Sequence, residues 1–297
     1  MFDDFVESYE VFRECGVENP LHETLRLFDI LTNGALRKTD LSLLTHKKID
    51  VHQVAKKRKD GIPLEYIMET AVFMGMAFYC SPDTLIPRDE TELLARVAMD
   101  FIDKKQESKR GLTIIDVGTG CGNIAISLAV YSDDTKILAS DISPAAVEVA
   151  RSNVNRFKLQ DRISLFCGDA LAPFEGAEYE GQIDLVVCNP PYIPTGSLDK
   201  LAPEIIDHEP KVALDAGSYG IDFFRKLIRD SVRFLKPGGI LVFEIGEGQE
   251  KLVTRLFKKT EGYRDIGYYD DGKHVRVMSA VKEPGIKPSP AAAGQDG

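Results

Sequence analysis

The sequence predicts an α/β protein: a mostly parallel sheet with helices on both faces and an antiparallel last strand, preceded by a small helical domain. Three observations carry this. From residue 112 onward, short apolar β-branched runs alternate with stretches of helical spacing, the pattern of a parallel sheet covered on both sides. The last two runs are joined by Asp270-Asp-Gly-Lys273, too short for a crossover helix, so the final strand must turn back against its neighbour. Residues 1–69, by contrast, read as helices set apart from the rest.

In the N-terminal part, Asn19-Pro20 places a capping residue before a proline suited to a first helical position. Leu21, Leu25 and Phe28 then recur at helical spacing until Asn33-Gly34. A second helix is expected over 50–59, ending in Lys56-Lys57-Arg58-Lys59. That basic run reads as a solvated helix end favoured by the macrodipole, with RNA or an acidic partner as the sharper reading. Residues 70–85 hold two apolar runs around a glycine and read as a hairpin and linker. A helix is expected from Asp89 to Asp103, with Arg88 just before it free to pair with a carboxylate.

The main domain spans 86–283. Strands are expected near 112–116, 136–141, 162–167, 183–188, 239–245, 263–269 and 274–281. Helices are expected near 122–131, 143–157, 220–234 and 247–260. Residues 284–297, rich in Pro, Ala and Gly, read as a disordered tail.

Composition narrows the function classes. Thirty-seven Lys and Arg against 47 Asp and Glu leave a net charge of -10, which disfavours a partner held chiefly through phosphate neutralisation, so no direct nucleic-acid partner is expected. Five cysteines without Cys-x-x-Cys spacing read as reduced thiols, most of them in the core, rather than as a disulfide or zinc framework. An acidic N-terminus and no long apolar stretch predict a cytoplasmic protein without a membrane anchor, and we expect a monomer.

The chemistry gathers at strand ends. Ile114-Ile-Asp-Val-Gly-Thr-Gly-Cys-Gly-Asn123 follows the first strand of the domain and opens a helix. Asp116, Gly118, Thr119, Gly120 and Gly122 thus form a loop whose backbone can approach a ligand closely. Its spacing lacks the third glycine of the dinucleotide fingerprint, and no Gly-Lys-Ser/Thr of a phosphate loop follows. Asp141, followed by Ile142, ends the second strand and can accept from both hydroxyls of a ribose. Asp169, followed by Ala170, ends the third and can accept from an adenine amino group. Together these describe an adenosine pocket, and without a pyrophosphate loop S-adenosylmethionine is favoured over NAD.

The fourth strand, 183–188, is a largely apolar, β-branched run stopped by Asn189-Pro-Pro-Tyr192, because two prolines forbid both a helix and further ladder pairing. Asn189 offers an amide oxygen, Pro190 a carbonyl without its own N–H, Pro191 rigidity and Tyr192 a flat ring. Such a set suits a planar NH2 group, whose two hydrogens the Asn189 and Pro190 oxygens would accept. The plainer reading is a strand followed by a rigid Asn-Pro turn.

Taken together, the Asp116-x-Gly-x-Gly-x-Gly122 loop, Asp141, Asn189-Pro-Pro-Tyr192 and the antiparallel last strand resemble the Rossmann-like seven-stranded sheet of class I S-adenosylmethionine-dependent methyltransferases. With Ile86-Pro-Arg-Asp-Glu-Thr-Glu92, Asn189-Pro-Pro-Tyr-Ile-Pro194, Glu209-Pro-x-x-Ala-Leu214 and the N-terminal helices, the chain is similar to the release factor glutamine N5-methyltransferases over residues 15–282. The resemblance implies methylation of the glutamine amide in the Gly-Gly-Gln loop of class I peptide chain release factors, with residues 1–69 docking the partner. Asp89 stands where that family usually has Pro, which implies a changed helix cap. Asn-Pro-Pro-Tyr is shared with adenine-N6 methyltransferases. A ribosomal-protein glutamine or a nucleic-acid adenine therefore remains an alternative substrate, and a non-catalytic binding module is the reading from another class.

Overall fold

The computed structural model describes residues 2–33, 49–107, 111–176, 178–217 and 220–285. Helices α1 (Phe2–Glu14), α2 (Pro20–Leu31), α3 (Val51–Lys59) and the single turn α4 (Leu64–Ile67) enclose a small core of Phe12, Leu27, Val54 and Leu64. Pro20 opens α2 as expected. Asn19 caps it differently from the expectation: its backbone is left-handed at φ 48°, and its side chain makes no cap bond. The backbone carbonyl of Asn19 instead accepts from the Glu23 N–H at 3.1 Å. Gly34, expected to stop this helix, and the tail beyond residue 285 lie outside the described residues.

The basic end of α3 divides. Lys56, Lys57 and Lys59 are exposed, as a solvated helix end should be. Arg58 departs from that reading, because one turn after buried Val54 it faces the protein. It donates to Glu23 at 2.8 Å and to Glu204 at 2.7 Å. Arg26 joins Glu23 and Glu65 in the same network, so charges from four helices are neutralised at one partly buried junction.

Strands β1 (Thr70–Phe73) and β2 (Met76–Tyr79) form an antiparallel hairpin that does more than link. Phe73 and Phe78 enter the main core. Asn153 of α7 (Pro144–Arg156), itself fully buried, closes both polar groups of Tyr79, donating to its carbonyl at 2.9 Å and accepting from its N–H at 2.7 Å.

The seven-stranded sheet has the order β5-β4-β3-β6-β7-β9-β8. It comprises β3 (Leu112–Val117), β4 (Thr135–Asp141), β5 (Ile163–Cys167), β6 (Ile183–Cys188), β7 (Leu235–Glu244), β8 (Tyr263–Asp270) and β9 (Val275–Lys282). Strands β3 to β7 pair in parallel, and β9 inserts antiparallel between β7 and β8. The β8–β9 connection is the short turn that the sequence requires. Helices α5 (Thr91–Gln106), α6 (Asn123–Tyr131) and α7 cover one face, and α9 (Asp222–Phe234) and α10 (Glu250–Lys259) cover the other. Between β6 and α9 lies α8 (Pro203–His208), an element the sequence did not suggest.

Central strand β6 explains its own composition. All six of its residues are buried, with Leu185 and Val187 in one core and Ile183, Val186 and Cys188 in the other. A strand covered on both faces favours a near-continuous apolar run over an alternating one, and its one charged residue, the buried Asp184, is paired with Lys236 at 2.6 Å. Leu185→Ala should therefore destabilise the protein by about 2–5 kcal/mol, the usual cost of a core cavity, measured as a shift in the denaturant midpoint at unchanged slope.

Candidate active site

The carboxyl ends of β3, β4 and β6 open on a cleft of about 250 Å³. Of the residues expected to bind a ligand, Gly118, Thr119, Gly120, Asp141, Ile142, Asp169, Ala170, Asn189, Pro190 and Pro191 line it. The described residues that line the cleft do not include Asp116, Gly122 or Tyr192.

Gly118 and Gly120 take φ of +70° and +55°; a Cβ on Gly120 would meet nothing within 4 Å, and one on Gly118 would reach only the Asn189 carbonyl, at 3.9 Å. The loop is thus a cradle that keeps its backbone bare toward the cleft, as close approach of a ligand requires. Beneath it, Asp116 is fully buried and braces the loop: its Oδ2 accepts from the Thr119 hydroxyl at 2.7 Å and from the Ala125 N–H at 3.2 Å. Its other oxygen has no partner, and burial pushes its pKa up to about 7.

At the end of β4, each Asp141 oxygen accepts one backbone N–H at 2.9 Å, from Gly120 and from Ser143. These bonds orient the carboxylate and leave each oxygen a further lone pair for a ligand hydroxyl. Burial raises the pKa of Asp141. Ile142, more than half exposed at the cleft wall, presents an apolar face suited to a flat ring. Ala170 is held left-handed at φ 51°, its carbonyl accepting from the Ser140 hydroxyl at 2.8 Å. Asp169 is paired with Lys226 of α9.

The Asn189 Nδ2 donates to the Thr91 hydroxyl at 3.0 Å, and that hydroxyl donates to Glu244 Oε2 at 2.7 Å. Glu244, at the end of β7, also takes the Tyr192 hydroxyl, and burial pushes its carboxyl up to about 7. The Tyr192 ring packs beside Gly246, where a Cβ would come within 3.1 Å of it. Tyr192 therefore stands behind the strand end.

The opposite wall comes from residues 193–217, stitched to the strand end by Ile193 N–H to Leu214 O at 3.2 Å and Ala216 N–H to Ile193 O at 2.9 Å. Pro210, Val212, Ala213 and Asp215 face the cleft from this arch. Two arginines tether it: Arg88 to the buried Glu209, and Arg58 to Glu204. Arg88 thus finds the carboxylate expected of it. The helix after it begins at Thr91 rather than at Asp89, with Glu90 at the cap position and no side-chain cap bond.

Sequence reasoning did not single out Thr91, Glu244, Val212 or Phe223 as site residues. Glu244 did leave a signal, an acidic residue closing the apolar run Ile240–Phe243. Thr91 and Val212 fall inside the stretches 86–92 and 209–214, which do not by themselves mark them as site residues, and Thr91, Val212 and Phe223 are all brought to the cleft by chain segments distant in sequence.

A seven-stranded sheet with an inserted antiparallel strand, a bare glycine cradle after β3 and a strand-end carboxylate after β4 define a methyltransferase. Residues 93–221 match the Methyltransferase small domain family. Among solved structures, the human Mettl16 catalytic domain in complex with the MAT2A 3′UTR hairpin 6 superposes with a TM-score of 0.53 at 16% identity, over 80% of this chain and 93% of that one. The Thermus thermophilus 16S rRNA N2 G1207 methyltransferase, solved with AdoMet and guanosine, gives 0.51 at 17% identity over 72% and 50%. Both show the fold alone. Release factor glutamine methyltransferases are nearer in sequence: that of Clostridium acetobutylicum is 33% identical over 94% of this chain and 98% of its own length. That of Bacillus anthracis is 36% identical over 91% and 95%. The chain belongs to the release factor glutamine methyltransferase family.

Asp116 gives a test of the site's electrostatics. Its pKa is raised above its ordinary value, so its contribution to stability is greatest when it is protonated and is lost as pH rises through about 7. Asp116→Asn keeps an oxygen for Thr119 and Ala125 without the charge. The variant should gain stability relative to wild type between about pH 4 and 7, read from thermal melts of the two proteins across that range.

Proposed function

We propose that this protein transfers a methyl group from S-adenosylmethionine to the side-chain amide nitrogen of the glutamine in the Gly-Gly-Gln loop of class I peptide chain release factors. The observation that carries the reading is Asn189 at the cleft, its Nδ2 bound to Thr91 so that its Oδ1 is left for a ligand, beside a Pro190 carbonyl that has no N–H of its own. Two acceptors at one strand end match the two hydrogens of a primary amide. The names borne by the relatives point to the same substrate.

The cradle fits the cofactor. Gly118 and Gly120 leave room for its amino-acid portion, Asp141 offers lone pairs to the ribose hydroxyls, and Ile142, Asp169 and Ala170 flank the base. When bound, S-adenosylmethionine supplies a methyl group already activated by its positive sulfur.

What remains for the protein is placement and charge. An amide nitrogen is a poor nucleophile because its lone pair is delocalised, and positive charge grows on it as the new bond forms. The Asn189 and Pro190 oxygens, accepting its two N–H bonds, orient the lone pair and stabilise that charge, which is greatest in the transition state. No strong base is needed beforehand, since the proton leaves after transfer, when the nitrogen is acidic. Pro191 stiffens the turn, and Tyr192 supports it from behind through Glu244. Residues 1–69 are suited to docking the protein partner.

Labelled methyl should pass from S-adenosylmethionine to a purified class I release factor and not to its Gln→Ala variant in the Gly-Gly-Gln loop; no label on a folded factor would turn attention to ribosomal-protein glutamine and adenine. Asn189→Ala should lower kcat on the order of 10²–10³-fold while cofactor affinity changes little, measured by single-turnover transfer alongside calorimetric binding. Asp141→Ala should do the reverse, weakening cofactor binding by about ten-fold or more through loss of charge-assisted hydrogen bonds, measured in the same titration.

A further inference from the structure

Asn189 presents a carboxamide, and a carboxamide has two ends. Accepting the substrate's N–H requires oxygen toward the cleft; turned over, the group would set its own NH2 against the substrate's NH2. The side chain does not choose between these by shape, because the two ends are nearly the same size. The choice must come from what it touches, which is the Thr91 hydroxyl, 1% exposed and the first residue of α5.

We propose that Glu244 and Thr91 are positioning residues that hold Asn189 with its oxygen toward the substrate amide, by a directed chain of hydrogen bonds from β6 through α5 to β7. This rests on the reading above, in which Asn189 accepts from that amide. The direction follows by elimination. An ionised carboxylate can only accept, so the Thr91 hydroxyl spends its single proton on Glu244 at 2.7 Å. The Thr91 oxygen is then left as an acceptor toward Asn189, which must turn Nδ2 to it at 3.0 Å. Oδ1 is the end that remains.

Protonation would release the chain. A neutral Glu244 can donate to the Thr91 oxygen, Thr91 can then donate to Asn189, and the carboxamide is free to turn over. The groups around Glu244 set where this happens. Besides Thr91, it faces the Tyr192 hydroxyl from the loop after β6, Glu90 from the turn before α5, Arg276 on β9 and the buried thiol of Cys188 on β6. Burial and Glu90 raise its pKa to about 7, while Thr91, Tyr192 and Arg276 hold it from rising further. Tyr192 and Cys188 are themselves raised and stay protonated near neutrality.

The test is kcat for methyl transfer to the release factor, at saturating cofactor and factor, between about pH 6 and 9. Saturation confines titrations that act through cofactor binding, such as those of Asp116 and Asp141, to KM. Wild type should lose kcat on a one-proton limb as pH falls through about 7. Thr91→Val, which fills the same space without the hydroxyl, should lower plateau kcat by about ten-fold and abolish the limb, less than the 10²–10³-fold expected for a group touching the reacting amide. Glu244→Gln should abolish the limb, and Thr91→Ser, which restores the hydroxyl, should restore both plateau and limb. A Thr91→Val enzyme with wild-type kcat and an intact limb would overturn the proposal. Asn189→Ala, assayed in parallel, separates the two claims: if it retains wild-type turnover, the reading of Asn189 as acceptor fails; if it is inactive while Thr91→Val is unaltered, the positioning chain alone fails.

Discussion

Strand β6 can end in one way, and the site is arranged around that ending. Its residues are buried on both faces between neighbours β3 and β7, so its axis and register are held by two ladders and two cores. The prolines that follow remove the N–H groups that could extend the ladder. Asn189 therefore leaves the sheet at a position set by a backbone held by ladders on both sides, beside the cradle: the Asn189 carbonyl is the nearest atom that a Cβ on Gly118 would meet, at 3.9 Å. In the proposed role of Asn189, meeting a substrate atom within a few tenths of an ångström, so rigid a mounting is an advantage.

Around that point, polar groups of distant origin are joined by direct hydrogen bonds. Thr91 from α5, Glu244 from β7 and Tyr192 from the turn after β6 meet where Thr91 and Glu244 are buried. In such surroundings an unpaired polar atom is costly, so each donor is driven to a definite acceptor. Directionality that would average out in solvent thus becomes a structural property. The arch over residues 193–217 is treated differently, being held to the body by charge: Arg88 with Glu209 and Arg58 with Glu204 clamp it at two points. The second clamp reaches the N-terminal helices, which links that part of the molecule with the wall of the cleft.

Much of this was legible in the amino-acid sequence, for local reasons. The central strands β3 and β6 were visible as largely apolar runs because both faces are covered. The cradle was visible because left-handed backbone at Gly118 and Gly120 favours glycine, and the stop at Asn189 because proline leaves no alternative. The antiparallel β9 followed from the length of its turn. Arg58 was misjudged because a basic run at a helix end looks the same whether or not one of its members faces carboxylates from other helices.

What the sequence determined by itself is therefore the set of elements and the chemistry offered at their ends: glycines, Asp141, Asn189 and Pro190, each required by its own backbone or its own functional group. Only the tertiary structure decided how these are oriented. The end of its carboxamide that Asn189 presents depends on Thr91, 98 positions away, and on Glu244, 153 positions from Thr91. The placement of Asp116 beneath the cradle and of Tyr192 behind the strand end depends in the same way on what packs against them. Composition and periodicity report on neighbours along the chain, whereas hydrogen-bond direction and burial are set by neighbours in space, and these residues become neighbours only when the sheet is assembled.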